Sequence, residues 1–241
     1  MNTPEIEQRS SAWHALRAGR ITASRFADAI AMTGGEPGDV YKSGPNKGQP
    51  KPRQSTAARD KYMREIVFER LAATSTHQVG GRATNWGEEV EPYGREQVEI
   101  ATGHIIKDGG FFVHPRYDFL GASPDGLIGA DGGYESKCPM DEAVHVNTML
   151  KGMPADHVAQ VQGGMLVTGR KWWLFASYDP RMPEAYSLYT QVVPRDDIYI
   201  DFVLLPGLLQ FEAEVNAMIE QLKARALRCN LPTGFDHERL A

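Results

Sequence analysis

The spacing of apolar residues predicts helices in the first hundred positions of the chain. Apolar side chains recur three and four residues apart over four stretches: about 13–20, 25–32, 55–73 and 86–102. The first stretch also fits a turn. Thr22 or Ser24 is expected to cap the second helix and Ser55 the third, and Gly103 ends the fourth. The inward face of the third helix is predicted at three positions: Tyr62, Ile66 and Val67.

Beyond residue 103 the pattern changes to short strands separated by Asp-Gly and Gly-Gly turns. Strands are predicted at 105–107, 110–114, 120–122, 134–138, 171–178 and 186–193. A helix at about 154–167 interrupts them, and a helical C-terminal stretch follows from about 196 to 230, with a break or kink at Pro206. This order predicts an α/β fold with a central mixed β-sheet flanked by helices, in a single domain over residues 1–241.

One long segment between the helices has no periodicity. Residues 33–54 are rich in Gly, Pro, Lys and Ser, which predicts a mobile loop. The net charge of the chain is −5, so the whole molecule does not indicate a nucleic-acid binder. Residues 41–70, however, hold eight Lys or Arg side chains against three acidic ones. This surplus is either a solvated surface or a local field that attracts a polyanion.

Composition argues against several classes of protein. No run of 18 or more apolar residues occurs, so no membrane span is expected. Residues 1–7 lack the basic and apolar parts of an export signal, so a cytoplasmic location is expected. The only cysteines, Cys138 and Cys229, are far apart, which fits reduced thiols better than a disulfide framework. None of the seven histidines has the spacing of a zinc ligand pair.

The most informative chemistry lies between residues 123 and 138. Asp125 follows a proline, Glu135 comes ten positions later and Lys137 two further on. Residues two apart on a strand share a face, so Glu135 and Lys137 are expected side by side at a site that Asp125 also reaches. Converging carboxylates suit Mg²⁺ or Mn²⁺, and a lysine beside them indicates metal-assisted phosphodiester hydrolysis. The alternative is an ordinary Pro-Asp-Gly turn beside a solvated strand face.

Six motifs, in their order and spacing, resemble those of the lambda exonuclease family, the YqaJ-type viral recombinases of phages and prophages. They are Trp13-His14-x-Leu16-Arg17-x-Gly19-x-Ile21-Thr22-Ala23-Ser24, Trp86-Gly87-x-x-x-Glu91, Ser123-Pro124-Asp125-Gly126-Leu127, Glu135-x-Lys137-Cys138-Pro139, Ala159-Gln160-Val161-Gln162 and Tyr178-Asp179-Pro180-Arg181-Met182. Together they cover roughly residues 12 to 185. Residues 33–80, where the family has its strand-separating wedge and 5′-end clamp, and the C-terminal stretch match no motif.

The resemblance implies a restriction-endonuclease-like core, whose signature is an aspartate followed by Glu-x-Lys. Asp125 and Glu135 would then bind Mg²⁺, with the backbone carbonyl of Ser136 as a further ligand. Lys137 would orient the attacking water and help to deprotonate it. Glu91 would hold a second ion or one of its waters, and Mn²⁺ could replace Mg²⁺. The implied phosphate-contacting residues are Arg17, Ser24, Ser123 and Gln160.

The same resemblance implies a Mg²⁺-dependent exodeoxyribonuclease that degrades one strand of linear duplex DNA from its 5′ end. It would release mononucleotides and leave a 3′ single strand for recombination by a single-strand annealing protein. The implied assembly is a ring of three identical subunits, in a phage- or prophage-encoded protein of the bacterial cytoplasm. Two alternatives stay open: an endonuclease on the same core, and a DNA-end-binding assembly protein without catalysis. The clustered carboxylates count against the second.

Several further residues are interpreted as structural. Trp13 and Trp86 are assigned to core packing rather than base stacking. Trp172 and Trp173 are neighbours on one predicted strand, so one ring should lie inside and the other outside. The remaining residues assigned to packing or to the surface are His14, His157 and Gln162.

Overall fold

The computed structural model describes residues 2–3, 8, 10–35, 38–76 and 82–228, so Cys229 lies outside the described residues. The helices are α1 (Ser11–Arg17), α2 (Phe26–Ile30), α3 (Ala57–Ala72), α4 (Arg82–Thr102), α5 (Glu142–Lys151), α6 (Val158–Thr168), α7 (Glu184–Ser187), α8 (Asp197–Tyr199) and α9 (Leu205–Arg228). Short 3₁₀ turns, Ala23–Arg25 and Ala155–His157, lead into α2 and α6. A π-helical turn, Ile200–Leu204, joins α8 to α9.

The strands are β1 (Asn2–Thr3), β2 (Ile21–Thr22), β3 (Met32–Thr33), β4 (Gln54–Ser55), β5 (Ile106–Lys107), β6 (Phe111–Val113), β7 (Leu120–Ala122), β8 (Gly126–Ile128), β9 (Gly132–Lys137), β10 (Trp172–Tyr178) and β11 (Leu188–Pro194). They form a five-stranded sheet in the order β11-β10-β9-β8-β5, a four-stranded sheet β1-β6-β7-β2 and the pair β3-β4. The pairs β9–β10 and β2–β7 are parallel and the other pairs are antiparallel. The predicted mixed α/β architecture is confirmed.

The largest hydrophobic cluster packs α9 against α2, α3 and α6. Phe211 of α9 is fully buried, and its ring stacks on Tyr62 of α3 with the ring centroids 5.5 Å apart. The Tyr62 hydroxyl in turn accepts a hydrogen bond from the Thr22 amide of β2 at 3.1 Å. The core around α9 therefore positions β2, and the predicted inward face of α3 is confirmed as buried.

Two arginines of α3 also fasten this helix to α9. Arg59 is 2% exposed and donates to Glu214 at 2.6 Å. Arg70 binds both carboxylate oxygens of Glu212, at 2.9 and 2.7 Å. It also donates to the backbone carbonyl of Gly19 at 2.8 Å, in the turn between α1 and β2. The ion pairs thus link α9 to the segment that carries the first sequence motif.

The helical run Asp197–Arg228 is the one stretch of the described residues that is long and apolar enough to cross a membrane, with a mean hydropathy of 1.3 in its most apolar 18-residue window. One such helix is weak evidence for a membrane protein, because the core helix of a soluble protein passes the same test. One face of α9 belongs to the main cluster, and 28% of the apolar window is buried. The break predicted at Pro206 takes the form of the π-helical turn just before it.

Helix α5 was not predicted from the sequence, because its polar residues are buried and several of its apolar residues are exposed. Asp141 caps the helix by accepting a hydrogen bond from the Ala143 amide at 2.9 Å, and Gly152 follows its end at φ +85°. The buried positions are the polar residues His145 and Thr148. The apolar side chains that remain exposed are Val144, Val146 and Leu150. Because helix prediction looks for an apolar stripe toward the core, this helix gave no signal.

Several element boundaries also differ from the prediction. Ser55 as the cap of α3 is wrong, because Thr56 has the extended backbone before the helix and its hydroxyl accepts from the amide three residues on, at 3.2 Å. Of the two caps predicted for the second helix, Thr22 is the N-cap of the 3₁₀ turn that leads into α2, but its side chain makes no capping hydrogen bond. The N-cap of α2 itself is Arg25, so Ser24 as the cap is wrong. α4 starts four residues before Trp86. β8 was not predicted, and α7 occupies the start of the last predicted strand.

The segment predicted as an irregular loop is a hairpin arm, which we define as residues 32–55; its residues 36 and 37 lie outside the described part. β3 and β4 pair at its base, and Val40 pairs with Pro50 farther out. Lys51 forms an ion pair with Asp39 at 3.0 Å. The basic side chains at the far end are exposed: Lys42 and Lys47.

The core position of α9 predicts the result of two substitutions on that helix. Phe211→Ala should lower the free energy of unfolding by about 3–5 kcal/mol, because it leaves a cavity against Tyr62. Leu222→Ala, at a position 43% exposed, is the matched control and should cost less than about 0.5 kcal/mol. Urea denaturation followed by circular dichroism measures both. Similar small effects would mean that α9 does not belong to the core.

Candidate active site

The two predicted carboxylate segments meet beside β9, the central strand of the five-stranded sheet. Asp125 lies directly before β8, which pairs with β9. The backbone amide of Ser136 donates to Oδ2 of Asp125 at 2.8 Å. This bond ties Asp125 to the end of β9, where Glu135 and Lys137 lie on either side of Ser136.

Glu135, Lys137 and Gln160 form a hydrogen-bonded triangle. Lys137 Nζ donates to Glu135 Oε1 at 2.6 Å and to Gln160 Oε1 at 3.3 Å. Gln160 Nε2 donates to the same oxygen of Glu135. Glu135 is 3% exposed. Within the described residues, its other oxygen, Oε2, makes no hydrogen bond, so it is available to a ligand.

Two carboxyl groups, those of Asp125 and Glu135, interact with a single ammonium group, that of Lys137. Burial raises the pKa of the Glu135 carboxyl above its usual range, and the negative charge of Asp125 raises it further, whereas Lys137 lowers it. Burial alone would lower the pKa of Lys137, but Glu135 and Asp125 raise it. Lys137 is therefore an ammonium at neutral pH. It can donate hydrogen bonds and orient a water, which favours that part of its predicted role over proton removal.

Glu91 reaches the same place from α4, and its charge also raises the pKa of Glu135. A cavity of about 420 Å³ opens here, and all nine predicted site residues line it: Arg17, Ser24, Glu91, Ser123, Asp125, Glu135, Ser136, Lys137 and Gln160. In the described parts of the chain, no three His, Cys, Asp or Glu side chains form a ready-made metal cage. The donor chemistry nevertheless fits a hard cation, since carboxylate oxygens with excess negative charge converge on one cavity.

Trp13 supports two of the predicted phosphate contacts. The guanidinium carbon of Arg17 lies 4.4 Å from the Trp13 ring centroid, and Arg17 also donates to Thr22 Oγ1 at 3.3 Å. The Trp13 indole donates to Ser123 Oγ at 2.9 Å. Ser24 is exposed in the wall of the cavity. Trp13 is buried as predicted, but it also shapes the site, which its interpretation as core packing alone missed.

The cavity is also lined by residues that were not among the predicted site residues, and Gln8 and Trp173 are two of them. Gln8 donates to the carbonyl of Pro124 at 2.7 Å, next to Asp125, and lies outside every motif. Trp173 is 1% exposed, so it is the inner ring of the tryptophan pair, and Trp172 is half-buried. The contact of Gln8 depends on three-dimensional proximity, for which the sequence carries no signal.

Two other groups near the site are neutral at physiological pH. Burial raises the pKa of the Cys138 thiol to about 11. Burial lowers the pKa of His157 to about 4, and the positive charge of Lys137 lowers it as well. The His157 ring packs against Phe175, with the ring centroids 5.5 Å apart. This arrangement agrees with the packing role predicted for His157 and argues against an acid–base role for either group.

Gln160 and Gln162 have different surroundings although they are two residues apart on α6. Gln160 binds Glu135 and Lys137 in the cavity. Gln162 is 4% exposed; it donates to the carbonyl of Pro194 and accepts from the amide of Asp196, both at 2.9 Å. Gln162 therefore joins α6 to the end of β11 and is structural.

This contrast predicts opposite results for two alanine variants. Gln160→Ala should reduce hydrolysis about 10–100-fold with little loss of stability, because it removes a support of Glu135. Gln162→Ala should cost about 1–3 kcal/mol of stability, because it leaves buried backbone groups unpaired. Steady-state rates and urea denaturation of both variants provide the test. A rate loss confined to Gln162→Ala would contradict the assignment.

Comparisons with known proteins agree with this geometry. The sequence profile of the YqaJ-like viral recombinase domain matches residues 12–171. The alkaline exonuclease LHK-Exo from Laribacter hongkongensis is 33% identical, with a TM-score of 0.76, over 91% of this chain and 100% of that chain. The LHK-Exo complex with dAMP gives 0.77 at the same identity and coverage. No curated protein sequence matches the chain.

A phage-related exonuclease from Haemophilus somnus 129PT shares the fold at 16% identity, with a TM-score of 0.63 over 84% of this chain and 96% of that chain. The mixed sheet with flanking helices is thus the restriction-endonuclease-like fold of the alkaline exonucleases, as predicted. The sequence profile covers most of the motif-bearing region, and LHK-Exo matches over its full length. The chain therefore belongs to the YqaJ-like viral recombinase family and is a nuclease.

Proposed function

We propose that this nuclease is a Mg²⁺-dependent 5′-to-3′ exodeoxyribonuclease. It degrades one strand of linear duplex DNA to mononucleotides and leaves a 3′ single strand for recombination by annealing. The observation that carries the proposal is the single cavity in which Asp125, Glu135, Lys137 and Arg17 come together. Phosphodiester hydrolysis requires an activated water, charge relief on the phosphate and a grip on the strand, and these residues can contribute to each.

Asp125 and Glu135 are the proposed Mg²⁺ ligands, with the carbonyl of Ser136 and the carboxylate of Glu91 completing a set for two ions. The available Oε2 of Glu135 and the repulsion between its carboxylate and Asp125 support this assignment, since a cation would relieve that repulsion. When bound, Mg²⁺ supplies Lewis-acid activation of water and charge relief on the phosphate. Mn²⁺ is expected to replace it.

Lys137 is proposed to orient the attacking water. Its hydrogen bonds to Glu135 and Gln160 fix the ammonium at the end of β9. Because the pKa of Lys137 is raised, the side chain keeps its charge and offsets negative charge that develops on the phosphate oxygens.

Arg17 is proposed to grip the phosphate. It is 9% exposed, and burial lowers its pKa, yet its described hydrogen-bond and ring contacts, to Thr22 and Trp13, carry no negative charge. Burial outweighs the negative charge of Glu69, which raises the pKa of Arg17, and leaves the pKa lowered. A buried cation that is only partly compensated favours an anionic ligand, and the planar guanidinium can bind two phosphate oxygens at once.

The further proposed phosphate contacts in the same cavity are Ser24, Ser123 and Gln160. The hydroxyl of Ser123 donates to the carbonyl of Gly110 at 2.9 Å, so it would have to exchange this hydrogen bond for one to phosphate.

The choice of an exonuclease rests on the relatives. LHK-Exo is an alkaline exonuclease that has been solved in complex with dAMP, a mononucleotide. Release of mononucleotides from a strand end is the corresponding proposal for this chain. A single-strand annealing protein is the proposed partner, because the family is described as viral recombinases. An endonuclease on the same core remains the second candidate, since restriction enzymes use the same signature.

End-labelled DNA tests the proposal directly. With Mg²⁺, 5′-labelled linear duplex should release its label as mononucleotide at once, while the 3′ label stays in a shortening strand. Covalently closed circular duplex should remain intact, and EDTA should stop the reaction. Asp125→Asn is the matched control: it removes one negative charge at nearly constant volume, so folding should survive and cleavage should be lost.

Cleavage of closed circles would favour the endonuclease, and early release of the 3′ label would reverse the polarity. Full activity of Asp125→Asn would contradict the metal assignment. DNA binding without Mg²⁺-dependent cleavage by the unmodified protein would leave the non-catalytic end-binding protein as the explanation.

A ring of three subunits is the proposed assembly. Three exposed apolar side chains near the start of the C-terminal helices support a contact surface: Ile198, Phe202 and Val203, at 75%, 77% and 50% exposure. A closed ring threaded by DNA would keep an acidic protein on its substrate without strong binding. The basic hairpin arm would then lie at the opening that admits the duplex. The interfaces of the ring would be heterologous, as closed cyclic symmetry requires.

Light scattering should therefore report about three times 26.7 kDa. Phe202→Asp should reduce this mass toward that of a monomer, because it places a charge in the proposed interface. The matched control is Leu227→Asp, at an exposed position near the end of α9. A monomer at micromolar concentration for the unmodified protein would refute the ring.

A further inference from the structure

Arg181 contacts both α4, which carries Glu91, and the chain just after β9, which carries Glu135. Its guanidinium carbon lies 4.9 Å from the ring centroid of Trp86, in the first half of α4. Its Nη2 donates to the carbonyl of Pro139 at 3.4 Å, two residues after Lys137. One side chain therefore contacts both α4, which carries Glu91, and the exit of β9, which carries Glu135 and Lys137.

Asp179 holds Arg181 in this orientation. Nε and Nη2 of Arg181 bind the two carboxylate oxygens of Asp179 at 2.8 and 2.7 Å, and the Arg181 amide adds a third bond at 3.0 Å. Asp179 is 1% exposed, so its geometry is fixed by the surrounding chain. Such a two-point ion pair fixes the plane of the guanidinium as well as its position. A fixed guanidinium plane allows Arg181 to stack on the indole ring of Trp86.

The geometry of α4 relates this contact to Glu91. Glu91 follows Trp86 by five residues, which places the two side chains about 140° apart around the helix. The contact between Arg181 and Trp86 and the cavity thus lie on different sides of α4. A shift of the helix toward Arg181 would therefore move the Glu91 carboxylate away from the cavity. A second close approach occurs at Gly94, where a Cβ would lie 3.1 Å from the Tyr178 side chain. Both contacts involve the end of β10 and the turn after it.

We propose that Arg181, held by Asp179 and stacked on Trp86, is a positioning residue that sets the distance of Glu91 from the Asp125–Glu135 pair. Arg181 is absent from the residues lining the cavity, so it acts through α4 and the exit of β9. The proposal rests on the proposed function, because it assigns Glu91 to the ion site. None of the residues of the Tyr178-Asp179-Pro180-Arg181-Met182 motif line the cavity, and the positioning role explains how this motif acts on the site.

Calorimetric titration with Mn²⁺, in the absence of DNA, tests the proposal. Arg181→Ala should weaken Mn²⁺ affinity about 10–100-fold, the size of effect seen when a support of a metal ligand is lost. It should lower kcat with little change in KM for DNA, because the proposed phosphate contacts stay in place. Arg181→Lys keeps the charge but not the planar fork, so it should restore folding fully and Mn²⁺ affinity only in part.

The matched control is Arg170→Ala. Arg170 donates to the carbonyls of Gly129 and Gly132 at 3.1 and 2.6 Å, at the opposite end of β9 from the site. Its loss should lower the melting temperature and leave Mn²⁺ affinity unchanged. Trp86→Ala should reproduce the Mn²⁺ defect of Arg181→Ala, and the double variant should be no worse than either alone, because both remove the same contact.

Unchanged Mn²⁺ affinity in Arg181→Lys and Trp86→Ala would overturn the positioning role, even if Arg181→Ala failed to fold. Equal losses of Mn²⁺ affinity in Arg181→Ala and Arg170→Ala would mean that Arg181 only stabilises the fold. This result would also overturn the positioning role. If the unmodified protein bound no Mn²⁺, or Asp125→Asn bound it equally well, the proposed function would fail instead. The two failures are therefore distinguishable.

Discussion

Glu135 is buried beside a second carboxylate, and the arrangement of the site depends on how that negative charge is compensated. A charge removed from water requires a partner, and a like charge nearby increases the requirement. Lys137 supplies one partner at 2.6 Å. The raised pKa of Glu135 shows that the compensation is incomplete. A proton or a divalent cation would complete it, and the proposed function assigns this role to the cation.

The helices and strands around β9 position the other side chains of this cavity. α6 lies close to the sheet because Gly164 has no side chain: a Cβ there would lie 2.8 Å from the Trp173 ring. This approach lets Gln160 reach Glu135. α1 and β2 bring Arg17 to the other wall, and α3 and α9 hold them through Tyr62 and the Arg70 contacts. The distant core is thus required for the position of Arg17, the proposed phosphate-binding side chain.

The sequence could predict the cavity residues because their signals are local. Glu135 and Lys137 follow strand spacing, and Asp125 follows a proline at a predicted turn. The resemblance to the family motifs supplied Arg17 and Gln160, and the fold brings all five residues to one cavity. Their chemical roles remain predictions. The mixed sheet followed from the sequence of short strands and helices, and the family profile and LHK-Exo agree with it.

Other features depend on contacts that no local pattern contains. α5 buries polar side chains against β10 and α7, as in the contacts of His145 with Ser177 and the Tyr186 carbonyl, so apolar periodicity could not reveal it. The cap of α3 could not be chosen because Ser55 and Thr56 both carry hydroxyls. The double contact of Trp13 with Arg17 and Ser123 appears only once the chain is folded.

The proposed function requires the cavity beside β9 to bind a divalent cation. Crystals grown with Mn²⁺ and measured for anomalous scattering would locate the ion without reference to activity. Anomalous density is expected within coordination distance of the carboxylates of Asp125 and Glu135, in the 420 Å³ cavity next to the Lys137 ammonium. Ordered Mn²⁺ bound only elsewhere, or a cavity that stays free of Mn²⁺ at saturating concentration, would contradict it.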